Sequence, residues 1–299
     1  MRNKIRRVSI RVIVPIAVVM VIASALYSTI GVTYEVGSQG SFIPVADLSA
    51  IPQSVAEDAT ELATEIFGNC QEKCNDFMNQ MLAIYSEAKE KDFVIVFNSG
   101  GWGSKMIEHY LSGWSILNGI EAELDSLGYL SLSLVHLRTD GSWLGCLDEI
   151  TERISGYPAK AKDLASRIEF LTNHIPDLKV IITADSGGIA ICDKVMTILE
   201  NNPQVYTIQT GPPPWHGNTA SNRTLVMASN GIIPDSFSQG NLWAMFWGNL
   251  GYWFGLSQPI DDFGTPSHYV GAPGHDYWWQ YPEVCSEISD FLDENFGLK

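Results

Sequence analysis

The chain has little charge: only 17% of its 299 residues are Asp, Glu, Lys or Arg. Cations are the scarcer kind, 18 against 34 acidic residues, for a formal net charge of −16. Five of the 18, Arg2, Lys4, Arg6, Arg7 and Arg11, stand in the first eleven residues, which leaves 13 against 34 and a formal −21 over residues 12–299. Nucleic-acid binding rests on neutralising phosphates with Lys and Arg, so a globule this acidic excludes that class of partner. Cysteines number only five. Cys70 and Cys74 lack the matching second pair of a structural zinc site. Outside the cytoplasm a local Cys70–Cys74 disulfide is open, as is a Cys146–Cys285 pair. Cys192 reads as a buried apolar filler. There is no internal repeat. No Gly-Lys-Ser/Thr follows the glycine-rich stretch near residue 100, where Ser104-Lys105 stands in the wrong order for a phosphate cradle.

What is present is apolar. Hydrophobic residues make up 45% of the chain and nine of its residues are Trp, ample for one large core. The basic head, residues 1–11, precedes an apolar run over residues 12–32, long enough to cross a bilayer. The head is expected to stay in the cytoplasm and the bulk of the chain to lie outside. Ala23-Ser24-Ala25 has the small-x-small pattern of a cleavage site, so the run is either an uncleaved membrane anchor or a signal peptide whose removal would make the protein secreted.

Residues 33–91 form a lead-in: an irregular stalk to about residue 55, then one or two acidic helices. Strands and helices alternate after that. Strands are expected at 92–97, 130–136, 178–183, 204–209 and 224–228, and helices at 104–126, 157–174, 189–201 and 282–296. Alternation of this kind implies βαβ units and a mostly parallel sheet flanked by helices, here as one α/β domain over residues 92–299.

The most informative segment is Leu178–Gly188. An apolar, β-branched run ends abruptly at Asp185-Ser186-Gly187-Gly188, and a helix-competent run starts at once with Ile189. Strand, sharp turn and helix with a lone serine at the apex resemble the nucleophile elbow of α/β-hydrolases. Gly188 fits the last glycine of the G-x-S-x-G pattern, and Ala184 replaces the first. A second element resembles the family's oxyanion loop: Asn98-Ser99-Gly100-Gly101-Trp102-Gly103 follows the first clear core strand, with Asn98 where His is usual. The resemblance covers residues 92–297, and what it implies is an esterase- or lipase-like serine hydrolase.

In that reading Ser186 is the nucleophile, and the backbone amides of Gly100, Gly101 and Gly187 hold the oxyanion. His275, in a loop just before the last helix, is the base, with His268 as its rival. The acid belongs after the strand at 224–228. Many hydrolases carry Asp-Gly-Ile/Val-Val-Pro there, and this chain has Asn230-Gly231-Ile232-Ile233-Pro234. Asp235 is therefore the first choice, with Asp261, Asp262 and Asn230 as alternatives. Trp102, Trp215, Trp243 and Trp247 are candidate pocket residues. Trp243, Phe246 and Trp247 share one helical face, which packs on the sheet, lines an acyl pocket or meets a membrane surface. The substrate implied is a small-molecule or lipid ester, and no metal or organic cofactor is called for. The competing readings are a catalytically silent hydrolase-fold binding module tethered to the membrane, and an acyltransferase.

Overall fold

The computed structural model describes residues 34–36, 51–100, 111–139, 143–217, 221–253 and 272–297. The apolar run at 12–32 lies outside them, and among the described residues no helix is long and apolar enough to cross a membrane.

Six strands form one sheet: β1 (Tyr34–Val36), β2 (Phe93–Asn98), β3 (Ser131–His136), β4 (Lys179–Asp185), β5 (Val205–Thr210) and β6 (Thr224–Met227). Their order across the sheet is β1-β3-β2-β4-β5-β6, and every pairing is parallel except β1 with β3. Central strands of a parallel sheet are covered on both faces, so they read as unbroken apolar runs. All six residues of β2 are buried accordingly.

The two faces divide the core by the period-two alternation of strand side chains. Val94, Val96, Val180, Ile182 and Leu134 point to one face. They meet α1 (Gln53–Phe67), α2 (Gln71–Ala88), α5 (Pro158–His174) and α6 (Ile189–Ile198) there. Phe93, Ile95, Phe97, Ile181 and Ile208 point to the other, against α3 (Leu111–Ser126) and α8 (Pro282–Phe296). Fully burying one such side chain is worth about 1.5–3 kcal/mol, so the central strands anchor the fold. Proline stands in the first turn of α5 and of α8, where its missing N–H costs no helical bond.

Three features depart from the sequence reading. Tyr34–Val36, expected within an irregular stalk, pairs antiparallel with the outer edge of β3, Tyr34 opposite His136. No helix is expected between residues 137 and 156, yet α4 occupies Trp143–Ser155. Its amphipathicity is inverted: Asp148, Glu149 and Glu152 are buried, while Ile150 and Ile154 are exposed. Cys70 and Cys74 are free thiols, as is Cys285, so neither Cys70–Cys74 nor Cys146–Cys285 is bridged. Cys74 Sγ instead faces the carbonyls of Ala63 and Gly68.

Candidate active site

β4 ends at Asp185, a single 3₁₀ turn spans Ser186–Gly188, and α6 starts at Ile189. Ser186 has φ 45°, one of two non-glycine residues with positive φ among the described residues. Left-handed backbone costs an L-residue roughly 1–2 kcal/mol, so the surroundings must enforce it. They do so by close approach. A Cβ on Gly188 would stand 2.3 Å from the Asn98 carbonyl oxygen. A Cβ on Gly100 would stand 3.1 Å from Ser186 Cβ and 3.0 Å from the Asp185 carboxylate. The ends of β2 and β4 are thus pressed together at the turn, where only glycine fits.

Asn98 braces this junction. Its Nδ2 donates to the Gly188 carbonyl at 2.8 Å, which turns its Oδ1 toward His136 Nδ1 at 3.2 Å. Burial, reinforced by the charge of Arg138, holds His136 well below the usual imidazole range. The neutral ring then donates its Nδ1 proton to Asn98. Gly100 is buried against the elbow. Gly101 and Trp102 lie outside the described residues, as do Asp261, Asp262 and His268.

On the neighbouring edge, His275 Nδ1 lies 2.9 Å from Asp235 Oδ2. Asp235 is fully buried and collects donors on both oxygens. Oδ2 also accepts from Tyr277 Oη at 2.9 Å and Ser238 Oγ at 2.6 Å, and Oδ1 accepts from the amides of Phe237 at 2.9 Å and Ser238 at 3.0 Å. Burial pushes this carboxyl upward, but the hydrogen bond and charge of His275 and the bonds from Ser238 outweigh it, so it sits below the usual carboxylate range. Burial and then the Asp235 charge push the Tyr277 phenol far up, which keeps it a donor. Two glycines with positive φ make room. A side chain on Gly274 would strike the Pro234 carbonyl, and one on Gly211 would strike the His275 ring.

Asn230, an alternative acid, is used differently. Its Oδ1 accepts from the amides of Ile232 at 2.9 Å and Ile233 at 3.1 Å, and its Nδ2 donates to the Asp276 carbonyl at 3.0 Å. It organises the turn and has no hydrogen bond to His275.

The sheet register brings the serine and histidine sides close. Asp185 is paired with Thr210 across β4 and β5, and Gly211, the next residue, abuts the His275 ring. Adjacent strands are about 4.8 Å apart. Asp185, Thr210, His275 and Tyr277 accordingly line one small recess. From there an aromatic chain runs outward: Phe237 tilts against His275 at 4.7 Å between ring centroids, and Trp215 meets Phe237 edge-on at 6.2 Å. Trp215, Trp243 and Trp247 are 74%, 69% and 55% exposed. The last two sit on α7 (Leu242–Trp253) in a surface cluster, where Trp243 stacks on Phe246 and Trp247 meets Phe246 edge-on.

Arg138, His136, Tyr277 and Ser238 were not singled out from sequence. Each acts through a partner distant along the chain or through a short hydroxyl, and carries no local pattern. Among the described residues no three His, Cys, Asp or Glu side chains converge as metal ligands.

No protein-family model matches the chain, and no curated protein matches it. Among solved structures, the chain is similar to a Trichoderma reesei cutinase in complex with a phosphonate inhibitor. The identity is 13%, covering 64% of this chain and 82% of that one, with a TM-score of 0.38. A likeness that faint assigns neither family nor chemistry.

Proposed function

We propose that the protein is a serine hydrolase that cleaves an ester or lipid-like acyl substrate through an acyl-enzyme. The observation that carries this reading is the left-handed backbone of Ser186 at the end of β4, in a turn too crowded for any side chain at Gly188. Strain of that kind persists only where surrounding structure enforces it, and it collects at functional sites. The His275–Asp235 pair beside it supports the same chemistry.

With Nδ1 facing Asp235, Nε2 of His275 takes the proton as Ser186 Oγ attacks the substrate carbonyl carbon. The oxygen of the tetrahedral intermediate is held by the amides of Gly187 and of the Gly100-Gly101 loop. The C–O bond to the alcohol then breaks, and His275 returns the proton to the leaving oxygen. Water, deprotonated by the same ring, attacks the acyl carbon; the bond to Ser186 Oγ breaks, the ring returns its proton to that oxygen, and the acid is released. Asp235 keeps the ring's tautomer fixed and balances its transient charge. Trp215 and the α7 cluster supply apolar surface for an acyl chain or a lipid interface. The apolar run at 12–32 and the basic head before it support placing this domain outside the cytoplasm, tethered to the membrane or secreted if the leader is cleaved.

The test is labelling of the full-length chain in detergent with a fluorescent fluorophosphonate, beside Ser186→Ala. Labelling that vanishes in the mutant is expected. A folded wild-type chain that does not label would sink the enzyme reading and leave the tethered binding module.

A further inference from the structure

We infer that Arg138 is a positioning residue for the oxyanion hole: it holds the carbonyls of the Ser99-Gly100 turn inward, so that the Gly100 amide faces Ser186. This rests on the hydrolase reading above. Arg138 lies two residues beyond β3, and its side chain is wholly buried. Its Nη2 donates to the Ser99 carbonyl at 2.6 Å and the Gly100 carbonyl at 3.2 Å. The carbonyl and the N–H of a trans peptide point in opposite directions, and there is no cis peptide among the described residues. The Ser99 carbonyl shares its peptide with the Gly100 amide, so a guanidinium that pins the carbonyl aims that amide away from itself. Gly100 stands against the serine, since its missing Cβ would lie 3.1 Å from Ser186 Cβ.

The guanidinium is itself held in place. Its Nη1 meets Glu149 Oε1 at 2.5 Å. The same oxygen accepts from Tyr157 Oη at 2.7 Å, and Glu149 Oε2 accepts from Lys160 Nζ at 2.8 Å. Lys160 in turn pairs with Asp148 at 3.2 Å. A buried ion pair is weak evidence for stability, because the desolvation of both charges offsets their attraction. The planar guanidinium fork turns Nη2 to both carbonyls while Nη1 is fixed on Glu149, and that division gives an orientation that lysine's point charge cannot. The inverted face of α4 is the support for that fork.

The experiment is the kinetics of full-length Arg138→Lys with p-nitrophenyl butyrate and its rate of fluorophosphonate labelling. Lysine keeps the charge beside Glu149 and loses the fork. Losing an oxyanion donor outright costs about 10²–10³ in kcat, so a misaimed one should cost roughly 10- to 100-fold. A group that acts only in the transition state leaves KM within about two-fold, and labelling should slow in parallel. A folded Arg138→Lys with wild-type kcat, or with KM alone altered, overturns the inference. If that variant does not fold, Glu149→Gln loosens the guanidinium without removing it. A several-fold fall in kcat at constant KM then supports the inference, and wild-type kcat overturns it. A wild-type chain that never labels sinks the hydrolase reading, whereas equal labelling of wild type and Arg138→Lys sinks the role of Arg138 alone.

Discussion

Around Ser186 the constraining neighbours are backbone: the Asn98 carbonyl beneath Gly188, and Gly100 against the serine's own Cβ. Around His275 they are hydrogen bonds that converge on one carboxylate, with five donors on the two oxygens of Asp235. The serine side tolerates no added volume, and the histidine side tolerates no lost charge. Steric and electrostatic restraint fail differently, so the two sides can be broken one at a time.

The largest effect expected is on turnover, from Asp235→Asn. The amide keeps the shape but reverses the preferred tautomer of His275, and a change of this kind in a triad costs about 10⁴-fold in kcat. Ester hydrolysis by Asp235→Asn against wild type is the measurement, and activity within ten-fold of wild type would remove Asp235 from the site. Gly188→Ala comes next. Overpacking costs about 1–3 kcal/mol, and here the clash is with backbone at 2.3 Å. A lowered Tm and loss of Ser186 labelling are expected together. A labelled, fully stable Gly188→Ala would show that the elbow has slack.

Asp235 also sets a pH signature. Its carboxyl is depressed in the folded protein, so its stabilisation is complete above the ordinary unfolded value of about 3.9 and is lost as pH falls through the folded value. The difference in Tm between wild type and Asp235→Asn should be flat above about pH 5 and shrink below pH 4. A difference that instead grows on acidification would reverse the assignment. The smallest effect belongs to Asn230→Asp. It restores the residue that many hydrolases carry there, but the side chain serves a turn. The buried carboxyl leaves the Asp276 carbonyl without its donor, at about 1–3 kcal/mol, with kcat unchanged. A gain in kcat would make Asn230 part of the relay.

The alternation of strands and helices was legible because a buried parallel strand writes itself as an apolar run and a turn writes itself in glycine. The elbow was legible for the same reason: Ser186 lies in the turn that ends an eleven-residue strand-and-turn signal, Leu178–Gly188, with a helical run directly after it. The partner of His275 was legible only as a first choice among four residues. Asp235 stood beside Asp261, Asp262 and Asn230, and only the crossing of the 234–236 and 273–275 backbones brings it to the ring. Helix α4 was missed because its pattern runs backwards. Glu149 is fully buried and Ile154 is 77% exposed, since the inner side of the helix serves Arg138 and Lys160 rather than the apolar core. Periodicity identifies which side of a helix is apolar, and it fails where the buried side is the charged one.

The exposure of Trp215, Trp243 and Trp247 gives the protein an optical handle. Indoles in contact with water emit at longer wavelength and are reached by soluble quenchers. Trp215, one of the nine tryptophans, meets the Phe237 ring that packs on His275 and so stands on the approach to it. The colour of the chain's own fluorescence therefore records whether that approach is wet or dry, without a label and in the intact molecule.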